Sequence, residues 1–181
     1  MKEKTLVAKI LPVFLAAIIG VFIIVSAIVL YNRKNELEFR IGEKVEESER
    51  VYALSVDREI TSLKNATEEI LLNKTLEHAL TSKDRKMLIK EGLPIYERYV
   101  GSRNITHIYF HDIKRVNLLR LHSLTKYGDK IDRQTMTTAM HTGLPSCGLE
   151  IGVLGTFTLR MVTPWYVNGK VIGYLELGKE V

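Results

Sequence analysis

The chain has 181 residues, 46% of them apolar and 26% charged, which is room for one compact domain beside an anchor. Its formal charge of +5 is dispersed without a basic run, so nucleic acid is not an expected partner, though anionic ligands or lipid headgroups would be favoured. The single cysteine, Cys147, excludes an internal disulfide framework and any Cys-x-x-Cys metal or haem motif, and it is expected to be buried rather than reactive.

Residues 10–30 carry no charge, and only Pro12, Gly20 and Ser26 depart from apolarity. About 20 apolar residues rising 1.5 Å each span a hydrocarbon core of roughly 30 Å. The exit, Ile28-Val-Leu-Tyr-Asn32, offers no small-x-small cleavage site. An uncleaved signal anchor over 10–31 is therefore predicted, with membrane attachment through this one helix. Residues 1–9, bearing Lys2, Lys4 and Lys9, form a short cytoplasmic tail, and the bulk of the chain lies outside.

Residues 32–80 contain no proline and one glycine, Gly42. Apolar side chains recur at Leu37, Ile41, Val45, Val51, Tyr52, Val56, Ile60, Leu63, Ile70 and Leu71, in steps that predict a long amphipathic, membrane-proximal helix. Glu43, Lys44, Glu46, Glu47, Glu49, Arg50, Asp57 and Arg58 form its solvated face. Almost 50 helical residues reach roughly 70 Å, too far for one small domain to cover. Part of the apolar stripe is thus expected to pair with a second copy in a homodimer. A break near Thr61-Ser62 that folds the helix back is the alternative.

The remaining segment, 81–181, reads as an α+β domain. Ser82 or Asp84 is placed to cap a second helical segment, and Gly92 and Pro94 divide it into two short helices. Strands follow at 105–111 and about 116–122, joined by Asp112-Ile-Lys-Arg115. A four-residue turn sets Tyr109 opposite Leu118, His107 opposite Arg120 and Ile105 opposite His122. One face then carries Ile108, Phe110, Leu119 and Leu121, and the other carries His107, Tyr109, His111, Arg120 and His122. A slip of one residue would exchange Arg120 and His122 for the two leucines.

The long helix is available to cover the apolar face, and residues 123–150 are expected to cover the polar one. Within them Asp132 is predicted to cap a helix over 133–141 that Gly143 ends, leading into an extended segment at 147–151. A turn at 152–155, a strand at 156–163, a hairpin at Asn168-Gly169 and a last strand over 171–178 complete five antiparallel strands with helices packed on one face.

Several ordered motifs resemble a known family: Phe110-His-Asp112, Leu119-Arg-Leu-His122, Tyr127-Gly-Asp129, Ile131-Asp-Arg133, Gly155-Thr-Phe-Thr-Leu-Arg160 and Gly173-Tyr-Leu-Glu-Leu-Gly-Lys-Glu180. They look like the periplasmic Cache sensor domains of bacterial transmembrane receptors, nearest to the double-Cache type of sensor kinases and chemoreceptors. The resemblance covers about 80–180. It implies a PAS-like antiparallel sheet, a long helix rising from the inner membrane, and a small-molecule pocket between the sheet and the connections that cross it. It also implies a second membrane helix and a cytoplasmic output module, and Val181 stands where that helix would begin. The strands here suffice for one PAS-like lobe.

Arg120 is the first candidate ligand contact, because a guanidinium fork on a mid-strand position matches a carboxylate. The competing role is an internal ion pair with Glu150 or Glu176. Arg133 and Arg160 are candidates of the same kind. His107, His111 and His122 share a face, but spread along two strands they are expected to bond by hydrogen rather than to ligate a metal. If they face a pocket, their titration would make binding pH-dependent. Tyr109, Tyr127, Trp165 and Tyr174 are candidates to line the pocket, with membership of the core as the alternative for each.

No nucleophile elbow, phosphate loop, His-Glu-x-x-His segment or paired-cysteine site occurs, so neither enzymatic activity nor a cofactor is expected. The leading reading is an extracytoplasmic sensor for a small, anionic, carboxylate-like ligand. The competing one is a membrane-tethered interaction protein whose PAS-like domain binds a protein partner, with an exposed apolar patch in place of a cavity.

Overall fold

A computed structural model describes residues 3–151 and 155–180. Its elements are α1 (Glu3–Leu71), α2 (Lys74–Thr81), α3 (Arg85–Arg103), β1 (His107–His111), β2 (Asn117–Arg120), α4 (Gln134–Thr142), β3 (Ser146–Ile151), β4 (Phe157–Val167) and β5 (Lys170–Glu180). The chain forms two compact units, Met1–Leu54 and Ser55–Val181. The first is helix alone. Within it, Ile18–Glu36 is long and apolar enough by length and composition to cross a membrane, and none of it is buried. The side chains of Leu37 and Ile41, expected on the apolar stripe, lie outside the described residues, as does the turn expected at 152–155 up to Leu154.

In the second unit five antiparallel strands pair in the order β2-β1-β5-β4-β3. The period of two along each strand gives the sheet two unlike faces. Ile108 and Phe110 of β1, Leu119 of β2, Leu159, Met161 and Trp165 of β4, and Leu175 and Leu177 of β5 face the helices. Leu63, Ala66 and Ile70 of α1, Leu76 and Leu80 of α2, and Leu88 and Tyr99 of α3 close over them. Each fully buried leucine or isoleucine there contributes roughly 1.5–3 kcal/mol. A smaller cluster on the opposite face joins Met136 and Ala139 of α4 to Val162, Tyr174 and Ile131. The expectation that helices cover the apolar face and residues 123–150 the other one is met.

Local chemistry explains the helix ends. The long helix, expected to about residue 80, stops at Leu71, and Asn73 starts α2 by accepting bonds from Thr75 and Leu76 N–H at 3.0 Å. Asp84, one of the two expected caps, starts α3 by accepting from Met87 N–H. Gly92 and Pro94 do not divide α3, which runs unbroken through both. Gly92 packs closely against the sheet side: a Cβ there would stand 3.1 Å from Leu121 Cδ1 and 3.6 Å from Phe110 Cε2 of β1. Packing outweighs the single hydrogen bond that Pro94 removes. Asp132 does not cap α4. The cap is Arg133 backbone, and Glu150 of β3 accepts from Thr135 N–H at 2.9 Å and Thr135 Oγ1 at 2.8 Å.

The register of the first hairpin differs from expectation by two residues: Tyr109 pairs with Arg120 and Phe110 with Leu119, and a bulge follows at Phe110/His111. Asp112 is one cause. Its Oδ1 accepts from Lys114 and Val116 N–H and its own N–H bonds to Val116 O, while Arg115 takes φ 67°, so residues 112–116 form the connection between the paired His111 and Asn117, one residue longer than expected, and the bulge adds the second residue of the shift. An even shift returns each side chain to its expected face. The Asn168-Gly169 turn forms as expected, with φ of 50° and 76°. However, β4 continues through Pro164 and Trp165 to Val167 rather than ending at 163.

Gly173 offers a direct test of how closely β5 is held. A Cβ there would lie 2.4 Å from His111 O and 3.2 Å from Leu80 Cδ1, and backbone cannot give way as a side chain does. Gly173→Ala is expected to destabilise the domain by about 2 kcal/mol or more. Gly101→Ala, with nothing within 4 Å, is expected to be neutral or stabilising. Equal melting temperatures for the two variants would refute this account of the β1–β5 contact.

Candidate functional site

The polar face of the sheet is organised by a buried carboxylate. Glu176 of β5 is fully excluded from solvent. His111 Nε2 stands 3.0 Å from its Oε2, while Arg133 Nη1 and Arg160 Nη1 each stand 2.6 Å from its Oε1. The strands β1, β4 and β5 and the start of α4 are thereby tied to one side chain. Asn117 Nδ2 lies 3.4 Å from His111 Nδ1, an arrangement satisfied when Nδ1 accepts and Nε2–H donates to Glu176. Burial by itself would raise the Glu176 carboxyl, but the bond from His111 and the charges of the Arg133 and Arg160 guanidiniums outweigh it and hold it at about 2.

Beside this hub lies a cavity of about 510 Å³. Its sheet side is formed by His107 and Tyr109 of β1, Arg120 of β2, Thr158 and Arg160 of β4, and Glu180 of β5. His122, Thr125, Lys126, Tyr127, Asp129, Arg133 and Thr156 line it from the connecting segments. Tyr109 is the central ring, with the guanidiniums of Arg120, Arg160 and Arg133 at 5.2, 5.8 and 5.9 Å from its centroid. The His107 and His122 rings meet edge to face at 4.6 Å, and His122 lies 5.3 Å from Tyr109. Four cationic side chains line the space against two carboxylates, Asp129 and Glu180.

Backbone pairing positions the covering segment. Asn117 bonds to Asp129 O and accepts from Gly128 N–H, and Ile131 N–H bonds to Arg115 O, so residues 128–131 run along the free edge of β2. This places Asp129 against Arg120 in a two-pronged pair, Nη1–Oδ1 and Nη2–Oδ2 both 2.7 Å, and Nη1 also donates to Lys126 O. The pair lowers the Asp129 carboxyl and raises the Arg120 guanidinium. From the other side the Arg85 guanidinium stacks on the Tyr127 ring at 4.1 Å and donates to Leu124 O.

Seven of the nine residues singled out in the sequence meet at this cavity: His107, Tyr109, Arg120, His122, Tyr127, Arg133 and Arg160. Two do not. His111 shares their face but is wholly buried against Glu176 and Asn117. Trp165 is on the other face, buried among the helices, because its odd position in β4 puts it on the same face as Leu159 and Met161. Tyr174, also weighed as lining, packs in the cluster around α4. The ion pair foreseen for Arg120 exists, but its acid is Asp129 rather than Glu150 or Glu176. The threonines were not singled out, and Glu176, raised only as a partner for Arg120, pairs with Arg133 and Arg160 instead. A lone acid between Leu175 and Leu177, on a strand that must lie beside an arginine-bearing one, was the available signal for Glu176. Cys147 is half-buried, and burial pushes its thiol up.

The fold recurs among solved structures. The chain is similar to a domain of a protein of the sensory box/GGDEF family from Vibrio parahaemolyticus, with a TM-score of 0.51 at 19% identity over 68% of this chain and 55% of that one. It is also similar to the sensor domain of the V. cholerae histidine kinase DctB, with a TM-score of 0.52 at 14% identity over 68% of this chain and 52% of that one. The chain thus spans about half the length of these solved chains. No protein-family model matches it, and no curated protein matches it in sequence. The chain shares its fold with these solved domains, and the resemblance read from the sequence is met at the level of the fold.

Two groups in the site make stability depend on pH in separate windows. Burial, then Arg160 and His122, lower His107 from its ordinary 6.5 to about 4. The unfolded chain therefore takes up this proton first, and the contribution is lost as pH falls from 6.5 towards 4. Glu176, lowered from 4.5 to about 2, contributes above its unfolded value, and that contribution is lost as pH falls through about 2. In thermal melts His107→Asn is expected to flatten the decline between pH 6.5 and 4. An unchanged decline rules His107 out as its source. Glu176→Gln at pH 7 leaves the buried Arg160 and the half-buried Arg133 with only the more distant Glu150, at 3.7 and 3.9 Å, as a charge partner and is expected to cost about 3 kcal/mol; a loss below about 1 kcal/mol would show that the hub is dispensable.

Proposed function

We propose that this chain is a membrane-anchored sensor domain, exposed outside the bacterial inner membrane, that binds a small anionic ligand for transmembrane signalling. The observation that carries the reading is the cavity against the sheet. Its volume of about 510 Å³ falls within the range of small-molecule sites. Four cationic side chains face it against two carboxylates, and His107 and His122 are lowered first by burial and then by neighbouring guanidinium charge. Arg120, Arg133, Arg160, His107, His122, Tyr109 and Tyr127 are the proposed contacts. The likeness in fold to a histidine kinase sensor domain favours signalling over catalysis. The apolar helix at Ile18–Glu36 is the proposed anchor, with the residues before it in the cytoplasm.

A second copy is the proposed cover for the exposed Val45, Val51, Tyr52 and Leu54 of α1, giving a homodimer through the long helix. Cysteine crosslinking at Val45 in membranes, with Cys147 replaced by serine, is expected to yield dimers. Monomer alone at all oxidant levels would count against the pairing.

The sensor reading is tested with the full chain in lipid nanodiscs. A ligand that binds the folded state at 100 times its Kd stabilises it by about 2.7 kcal/mol. At least one small carboxylate is expected to raise the melting temperature in a dose-dependent way, and Arg133→Gln is expected to weaken that response. No shift from a broad panel of small carboxylates, with well-folded protein, refutes the anionic-ligand reading.

A further inference from the structure

We infer that Asp129 is an internal competitor for the ligand: its carboxylate fills the Arg120 fork until a ligand carboxylate displaces it. This rests on the sensor reading above and adds how the site opens. Arg120 and Asp129 meet as an external carboxylate would meet a guanidinium, with Nη1–Oδ1 and Nη2–Oδ2 both 2.7 Å. The guanidinium lies 5.2 Å from the centroid of Tyr109, the central ring, and both partners line the cavity. The Asp129 carboxylate therefore stands where a ligand's would.

Among the described residues lining the cavity three are arginines, and only Arg120 is paired with an acid that can be exchanged. Arg133 and Arg160 bond to Glu176, whose side chain is 1% exposed and sealed from water. The Asp129 side chain is 55% exposed, against 11% for Arg120. An exposed carboxylate regains its hydration when it turns away, whereas a guanidinium left buried without an acid does not. Asp129 thus loses little by leaving, and Arg120 then needs another anion.

The surroundings keep their shape when the side chain turns. Asp129 O accepts from Asn117 N–H at 2.9 Å, Gly128 N–H donates to Asn117 O at 2.8 Å, and Ile131 N–H donates to Arg115 O at 2.9 Å. A further bridge pairs Lys130 with Val116. Backbone bonds therefore hold residues 128–131 along β2 without help from the Asp129 carboxylate. Arg120 Nη1 also donates to Lys126 O at 3.0 Å, and this bond keeps the guanidinium aimed after Asp129 leaves. Lys126 lines the cavity as well and adds positive charge for the incoming anion.

The test uses the full chain in nanodiscs and calorimetric titration with acetate, lactate, succinate and malate. At least one of them is expected to bind wild type. Asp129→Asn keeps the size of the side chain and removes its charge, and backbone bonds hold its segment, so the variant keeps the fold. It should bind that carboxylate about tenfold more tightly or better, the factor that follows if the internal pair leaves the fork free about a tenth of the time or less. Loss of a negative charge alone also favours anions, so two further variants separate the causes. Glu180→Gln removes the other cavity carboxylate and should tighten binding far less. Arg120→Lys, added to Asp129→Asn, keeps the positive charge without the fork and should abolish the gain. Unchanged or weaker binding by Asp129→Asn, an equal gain from Glu180→Gln, or a gain that survives Arg120→Lys overturns the displacement. Binding by Asp129→Asn but not by wild type marks a permanent internal pair and overturns it too. No binding of any carboxylate by either protein brings down the anionic-ligand reading itself, whereas wild-type binding that Asp129→Asn does not tighten removes only this inference.

Discussion

A carboxylate taken wholly out of water is tolerable only if its charge is answered on the spot, and Glu176 shows how much structure that demand specifies. His111 must come from β1, Arg160 from β4 and Arg133 from the approach to α4, all within 3.0 Å of two oxygens. Each of these partners belongs to a different segment, so the bonds set the lateral order of the sheet's centre as well as satisfying the acid. They also take up one terminal nitrogen on each of two guanidiniums that would otherwise be free for a ligand. The character of the neighbouring cavity follows from that commitment.

The strand β5 links this hub to the helices by simple alternation. Tyr174, Glu176, Gly178 and Glu180 face the cavity side, while Leu175 and Leu177 pack among α1, α2 and α3. At the end of the strand Glu180 lines the cavity and Lys179, one residue away and on the other face, is paired with Glu59 of α1. A change in the position of β5 is therefore felt on both faces at once. Any ligand acts on such a coupling only to the extent that it binds one arrangement better than another.

The sequence carried the faces of the sheet better than its pairings. Ile108, Phe110, Leu119 and Leu121 alternate with His107, Tyr109, Arg120 and His122, and this pattern survives a two-residue shift in register. Asp112, whose side chain bonds to two amides in the connection, and the bulge at Phe110/His111 account for one residue of that shift each, an effect that loop length alone does not convey. Trp165 was misplaced for a related reason: the turn signal at Asn168-Gly169 was correct, but Pro164 made the strand seem to end early. Because a strand's faces alternate, the extra residues put Trp165 among the helices. Gly92 and Pro94 failed as breakers because propensity is a weak term against burial.

What the sequence by itself determined, then, is whatever follows from local period and composition: the apolar helix, the helical and strand segments, the Asn168-Gly169 turn, the two faces and the cluster of His, Tyr and Arg on one of them. What only the tertiary structure decided is partnership. Asp129 rather than Glu150 or Glu176 meets Arg120 because residues 128–131 bond along the edge of β2. Arg133 and Arg160 converge on Glu176, although 43 and 16 residues separate them from it. Charge pairing depends on distances of a few ångströms between residues far apart in the chain, and no local pattern encodes those distances.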